Sequence, residues 1–267
     1  MPYFSKRNRA ILREMITSDF KVRYQGSALG YLWSLLRPLF MFVVLYIVFV
    51  YIFNLNKGVP HFGVFLLLGI VLWNFFLETT MIGMSSVVAR GDLIRKISIP
   101  RYLVVMSSSA SAFINLLLNL GVVVVFALFD GIRPSLSWLL MPAVVAELAI
   151  FSTAVAFLLA ALYVRFRDVT YIWEVATQAG FYGTPILYAM TTSFTLVPVA
   201  YHDLLLLNPM AQIIQDARYA MITHTTITTW SSMPFMYAMI PLVFIGLLTW
   251  VAVIYFKQQS RYFAENL

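Results

Sequence analysis

Six long runs of predominantly apolar residues dominate this sequence of 267 residues. A helix crosses a bilayer with about 20 apolar residues, because a rise of about 1.5 Å per residue must cover a hydrocarbon core about 30 Å thick. Hydrophobic residues make up 61% of the chain and charged residues only 11%, so the polar surface is too small to cover a water-soluble particle. The sequence therefore predicts an all-α, polytopic membrane protein and excludes a cytosolic enzyme or a nucleic-acid binder.

The apolar runs predict a single transmembrane domain over residues 1–267 with six spans, at about 38–55, 62–82, 102–129, 136–164, 171–188 and 234–256. Pro38 fits the first turn of span one, where a missing N–H costs nothing. The serine- and alanine-rich start of span three predicts close helix packing. Residues 4–23 predict an amphipathic helix, with Ile11, Leu12, Met15 and Ile16 on its apolar face, which lies on the inner leaflet.

The segment 189–232 does not read as a seventh span. Its best apolar run, 204–207, ends at the Asn208-Pro209 turn, and 210–221 has an apolar face and a polar face carrying Gln212, Gln215, Asp216 and Arg218. We expect two short helices that enter the outer face of the membrane and return. Irregular backbone at that depth is tolerated only where protein or a water-filled cavity covers it.

The basic residues predict the orientation. Of the 18 lysines and arginines, only Lys57, Arg133 and Arg218 fall outside the terminal and connecting segments of one side. Cytoplasmic loops carry the excess of lysine and arginine. Both termini are therefore predicted to be cytoplasmic.

Little catalytic chemistry is visible. No G-x-x-x-x-G-K-[ST] phosphate loop occurs, His61, His202 and His224 lack ligand spacing, and no metal site or catalytic residue is predicted. The carboxylates at or near membrane depth are Glu78, Glu147 and Glu174. For Glu147 two interpretations stay open, a proton relay and a hydrogen bond to a neighbouring helix.

Aromatic residues recur on one face of spans one and five, namely Phe42, Tyr46, Phe49 and Phe53 in the first and Trp173, Phe181 and Tyr188 in the other. Aromatic faces pack against sugar rings, so these residues are candidates to line a channel. Lipid-facing aromatics and interfacial belts are the alternative. Between spans two and three, residues 93–97 predict a short basic helix, which either docks a partner or is a plain cytoplasmic loop.

Three stretches resemble the membrane subunits of type-2 ABC exporters, in particular the bacterial polysaccharide, O-antigen and teichoic-acid export permeases. They are DFKVRYQGSALGYLWSLLRPL at 19–39, LIRKISIPR at 93–101 and NPMAQIIQDAR at 208–218. The tail RYFAENL at 261–267 is also similar. The resemblance covers nearly the whole chain, and the order of elements agrees.

The resemblance implies a bacterial inner (plasma) membrane protein that works as two copies with two copies of a separate ATPase, which binds ATP and magnesium; this chain itself needs no cofactor. It implies an ATPase-contacting interface helix at 4–23 and a coupling segment that includes Asp92, Leu93, Arg95, Lys96, Pro100 and Arg101. Spans one and five would line the pathway, and Asn208, Pro209 and Arg218 would belong to an outer gate. Arg23 and Arg37 would receive the pyrophosphate of a lipid-linked glycan, or serve only as cytoplasmic anchors.

Three other functions remain open from the sequence. A type-2 ABC exporter of a small hydrophobic drug or lipid would share the fold and the partner. A proton-coupled secondary transporter would need no ATPase and would depend on Glu147. A membrane-embedded transferase is disfavoured because no acidic or histidine cluster is visible in the cytoplasmic loops.

Overall fold

The computed structural model describes residues 5–24, 30–54, 58–92, 99–190, 198 and 201–263, and the regular elements of these residues are helices. Helices α1 to α6 are Lys6–Tyr24, Trp33–Tyr46, Phe62–Ala89, Tyr102–Phe129, Met141–Arg165 and Val169–Gly183. Helices α7 to α11 are His202–Leu206, Pro209–Met221, Thr229–Ser232, Phe235–Ala238 and Ile240–Gln259. The all-helical prediction is confirmed.

Five stretches of helix are long and apolar enough to cross a membrane: Trp33–Ile52, Phe62–Ala89, Tyr102–Phe129, Leu136–Arg165 and Phe235–Gln259. The first continues α2 through a π-helical segment, Ile47–Ile52, and the fourth adds a 3₁₀ turn, Leu136–Leu140, before α5. They correspond to the predicted spans one, two, three, four and six.

Helix α3 is the centre of the bundle and packs most extensively against α4 and α5. Its residues 62–77 contain a single polar side chain, Asn74, so the helix is apolar on every side, as expected for a buried helix. Gly83 lets α5 approach closely, because a Cβ atom there would lie 2.7 Å from the Cβ of Ala156. Small residues at such a contact allow dispersion forces to hold membrane helices together.

The serine-rich start of α4 packs closely, as predicted. Ser107, Ser108 and Ser111 are buried, and each hydroxyl donates to a backbone carbonyl three or four residues earlier in the same helix. These hydroxyl groups thus donate within α4, and the Ser107 hydroxyl also accepts from Arg90 just after α3 at 2.9 Å. This lets neighbouring helices approach the α4 backbone.

Helix α1 packs on the start of α4, using the apolar face that the sequence predicted. Met15 is buried, Asn8 Nδ2 donates to the Tyr102 hydroxyl at 3.1 Å, and Asp19 pairs with Arg90 at the end of α3. Phe263, just beyond α11, belongs to the same apolar cluster as Met15. The first helix and the last described residues therefore lie at the same end of the bundle.

Span one begins earlier than predicted. Helix α2 starts at Trp33, so Pro38 lies in its second turn and leaves the carbonyl of Ser34 without its usual helical donor. The polar residues Ser34 and Arg37 are tolerated inside this helix, which hydropathy alone placed outside the span.

The predicted fifth span, 171–188, is represented by α6, which ends at Gly183 and has 15 residues. At about 1.5 Å per residue, this helix is about 22 Å long and shorter than the hydrocarbon core. It runs antiparallel to α3: Trp173 contacts Thr80, Phe181 contacts Trp73, and the turn after α6 reaches the start of α3 through Arg218.

The polar face of α8 is buried as well as its apolar face, which the amphipathic pattern of residues 210–221 did not predict. Gln212, Gln215 and Arg218 are each 2% exposed or less. The Arg218 guanidinium donates to the backbone carbonyls of Phe65, Pro185 and Ile186 and to Gln215 Oε1. These bonds join α8, α3 and the turn after α6.

Replacing Arg218 by methionine removes every hydrogen bond that this guanidinium donates and leaves buried carbonyls without those donors. We expect a loss of about 3 kcal/mol in the free energy of unfolding. For a chain of this size, that corresponds to a fall of roughly 10 °C in the midpoint of thermal denaturation, measured in mild detergent.

The matched control is Arg133→Met, at an exposed arginine between α4 and α5. Its midpoint should stay within about 2 °C of the parent. Equal shifts for the two variants would contradict the role assigned to Arg218.

Candidate translocation site

A cavity of about 740 Å³ lies between α2, α3, α4 and α6. Polar side chains line it at a depth where apolar ones would be expected: Ser34, Arg37, Asn74, Glu78, Asn115, Asn119, Glu174, Thr177 and Gln178. Val71, Phe75 and Leu116 form apolar parts of the wall. Polar residues inside a membrane domain mark substrate or ion pathways. The cavity is therefore the candidate functional site.

Hydrogen bonds from two asparagines of α4 join three of the helices that line the cavity. Asn115 Nδ2 donates to Glu78 Oε1 at 2.8 Å, which joins α4 to α3. One turn later, Asn119 Nδ2 donates to the carbonyls of Asn115 at 2.8 Å and Ser34 at 3.4 Å. The second bond gives the Ser34 carbonyl a side-chain donor where Pro38 lacks the backbone N–H. Asn119 thus compensates for the proline and fixes α2 against α4.

Of the two arginines predicted to receive a pyrophosphate, Arg37 lines the cavity and is exposed. Arg37 lies in the second turn of α2 and lines the same cavity as Glu174 and Gln178 of α6. Arg23 lies in the last turn of α1, and its side chain is outside the described residues.

The predicted channel aromatics of span one divide into buried and exposed groups. Phe42 is buried against Tyr46 and Phe126, while Tyr46 lies over Gly63 of α3. Phe49 is half-buried and Phe53 is exposed. In this single chain, Phe42 packs inside the protein and does not line the cavity.

The predicted aromatics of span five also face α3. The Trp173 indole N–H donates to the Thr80 hydroxyl at 3.0 Å, and Phe181 packs edge-on against Trp73. Tyr188 follows α6 in the turn and is half-buried. The opposite face of α6, with Tyr171, Val175 and Tyr182, is about 70% exposed.

The predicted coupling segment lies at the end of the bundle where α1 docks. Asp92 is exposed just after α3, and Arg101 is the residue before α4, with its guanidinium 6.0 Å from the Phe263 ring. Pro100 is half-buried, and Leu93, Arg95 and Lys96 lie outside the described residues. The ends of this segment therefore lie beside the interface helix.

The predicted outer-gate residues hold the turn before α8. Asn208 is the N-cap, accepting from the Met210 N–H at 3.0 Å, and its amide donates to Thr184 after α6. Pro209 occupies the first turn of α8, where it costs no hydrogen bond. Arg218 is fully buried at the contact with α3, so these residues anchor α8; their role as a gate stays a prediction.

Sequence reasoning missed the asparagines of the cavity. Asn115 and Asn119 are four residues apart in an otherwise apolar span, so they share one helix face. That spacing was the available signal. For Glu147, the structure favours the hydrogen-bond interpretation, because Gln212 Nε2 of α8 lies 3.4 Å from Glu147 Oε2.

Five helices long and apolar enough to cross a membrane, three of which line a polar cavity, are typical of a membrane transport protein. The sequence model of the ABC-2 type transporter family matches residues 12–222, and the chain belongs to this family. It is 31% identical over 209 residues to an O-antigen export system permease protein RfbA of Klebsiella pneumoniae, which covers 78% of each chain. It is 28% identical over 261 residues to the protein of that name from Myxococcus xanthus, which covers 97% of this chain and 96% of the relative.

The bond from Asn119 to the Ser34 carbonyl can be tested by a double-mutant cycle. Asn119→Ala should lower the free energy of unfolding by about 1–2 kcal/mol, because the hydrogen bonds from its amide to the carbonyls of Asn115 and Ser34 are lost. Adding Pro38→Ala offers a backbone N–H to the Ser34 carbonyl, so the second mutation should be stabilising in the Asn119→Ala background by about 1 kcal/mol more than in the parent. Additive effects in thermal denaturation would contradict the proposed compensation.

Proposed function

We propose that this chain is the membrane permease subunit of an ATP-driven exporter that moves a lipid-linked cell-surface polysaccharide of the O-antigen kind out of the cytoplasm. Two observations support this function. The chain is similar over almost its full length to an O-antigen export permease, and a polar cavity lies between the first and fifth predicted spans. The cavity is the single structural observation on which the proposal depends.

The chemistry of the cavity suits a glycan. Asparagine and glutamine amides both donate and accept hydrogen bonds, as sugar hydroxyls do, and Asn74, Asn115 and Gln178 supply such groups. Phe75 and Trp33 add ring faces for the apolar side of a sugar. A small hydrophobic substrate would not need this many polar groups. The drug or lipid exporter therefore remains only the second candidate.

Arg37 gives the cavity one point of attachment for an anion, although the carboxylates of Glu78 and Glu174 also line it. Its guanidinium is the only basic group on the described lining, and arginine binds phosphate oxygens through paired N–H donors. A pyrophosphate that links a carrier lipid to a glycan carries the matching charge. We assign Arg37 the first contact with that group.

The chain is proposed to cross the membrane six times. Both described ends lie at the same end of the bundle, which requires an even number of crossings, and α6 with the turn after it runs along α3 from Thr80 to Phe65. This segment would supply the sixth crossing, although α6 by itself is short. The excess of basic residues then places both termini in the cytoplasm.

The proposed exporter contains two copies of this chain and two copies of an ATPase. The exposed faces of α2 and α6, which include Val44, Ile47, Tyr171 and Val175, are the surfaces that a second copy would face across the pathway. ATP-driven closure of the partner would push on residues 91–101 and on α1. Because Asp19 pairs with Arg90, both inputs would reach the end of α3 together.

The glycan assignment predicts that Arg37→Ala lowers surface polysaccharide about tenfold or more, because charged hydrogen bonds contribute about 1.5–3 kcal/mol and about 1.4 kcal/mol is a factor of ten. The assay measures polysaccharide at the cell surface by antibody binding, with permease levels matched by immunoblot. Arg133→Ala is the control and should export at the parental level. Unchanged export by Arg37→Ala would contradict the cavity assignment.

The ATPase assignment predicts that a phosphate-loop ATPase co-purifies with the chain in mild detergent. Arg95→Glu combined with Lys96→Glu should reduce the recovered ATPase at least about tenfold, since repulsion replaces attraction at the proposed contact. The matched control is Arg165→Glu with Arg167→Glu, which makes the same charge change at the last residue of α5 and just after it. Equal loss in both variants would place the contact elsewhere.

A further inference from the structure

A second cavity of about 830 Å³ lies on the other side of the bundle, between α5, α8, α11 and the segment around α9. Its lining is mainly apolar, from residues such as Leu140, Ile150 and Leu242, but it contains Glu147 of α5 and Asp216 of α8. None of the described lining residues is basic. This cavity is separate from the candidate translocation site and shares no lining residue with it.

The two carboxylates are joined by the amide of Gln212, which is 2% exposed. The single nitrogen Nε2 donates to Asp216 Oδ2 at 2.7 Å and to Glu147 Oε2 at 3.4 Å. Gln212 therefore holds an acid of the spanning helix α5 next to an acid of the outer helix α8.

Each of the three side chains keeps one buried oxygen without a hydrogen-bond partner within the described residues: Glu147 Oε1, Asp216 Oδ1 and Gln212 Oε1. A buried polar atom without a partner costs about 1–3 kcal/mol, and a charged one more. Arg218 does not neutralise the acids, because its guanidinium donates to the carbonyls of Phe65, Pro185 and Ile186. Within the described residues, the cluster is thus short of positive charge.

We propose that Glu147, Asp216 and Gln212 form a binding site for a hard divalent cation such as Ca²⁺. Carboxylate and amide oxygens are the ligands that Ca²⁺ prefers, and two carboxylates match its charge. The cavity has room for the water molecules that complete the coordination.

A cation at this site would cross-link α8 to α5. Helix α8 is also fixed to α3 by Arg218, so the cation would hold the outer helix from the opposite side. A single shared proton can bridge only two of the three oxygens that lack a partner, whereas a cation bound between the side chains would contact all three. Cation binding at this site does not depend on the substrate, so its test is independent of the test of the proposed function.

The test uses the full chain in mild detergent with Tb³⁺, which replaces Ca²⁺ and luminesces when a nearby indole transfers energy to it. Trp230 lines the cavity next to Asp216, which makes it the expected donor. We expect saturable luminescence that Ca²⁺ displaces, and that falls at least about tenfold in Asp216→Asn and in Glu147→Gln. Asp203→Asn, at an exposed carboxylate of α7, is the matched control and should keep the parental signal.

A second measurement separates binding from energy transfer. Trp230→Phe should lose luminescence but keep a rise in the midpoint of thermal denaturation with Ca²⁺, because a ligand that binds only the folded state stabilises it. Luminescence that survives both acid-to-amide changes would overturn the proposal. The proposal would also be overturned if the denaturation midpoints of the parent and of Trp230→Phe changed with pH but not with Ca²⁺. That result would mean that the two acids share a proton.

Discussion

Because lipid tails are as apolar as leucine, the helices of this protein gain little from burying apolar surface against one another, and they must associate through close packing and polar contacts. Both converge on α3. Gly83 brings α5 close, Glu78 bonds α4, Thr80 bonds α6, and the Phe65 carbonyl bonds α8. Helices α4, α5, α6 and α8, which border the two cavities, thus all contact one buried helix.

The polar groups inside the domain divide into two kinds. Some serve assembly: Arg218 is enclosed by backbone carbonyls, Asn119 replaces the donor that Pro38 lacks, and the serines of α4 bond their own helix. Others line a cavity and can still form hydrogen bonds with a ligand, such as Arg37 on one side of the bundle and Glu147 on the other. The second kind carries the proposals for function, because structural satisfaction alone does not explain it.

Membership of the ABC-2 type transporter family explains why the sequence has no phosphate loop. This chain supplies the pathway, and a proposed partner supplies ATP hydrolysis. The docking of α1 on α4 and the pair of Asp19 with Arg90 put the interface helix next to the proposed coupling segment. A force on α1 or on the coupling segment would therefore move the end of α3. Residues 71–82 of the same helix form one wall of the polar cavity.

Much of the fold was predictable, because the length of an apolar run and the period of an amphipathic helix are local properties. Five of the six predicted spans and the apolar face of α1 followed from them, and the family followed from three stretches of sequence. The burial of Phe42, the shortness of α6 and the buried polar face of α8 were not predictable, since each depends on which helix lies opposite. Asn115 and Asn119 showed their spacing in the sequence, but only the tertiary structure decided that this face meets Glu78 and Ser34, because hydropathy records composition along a helix and not the partner across it.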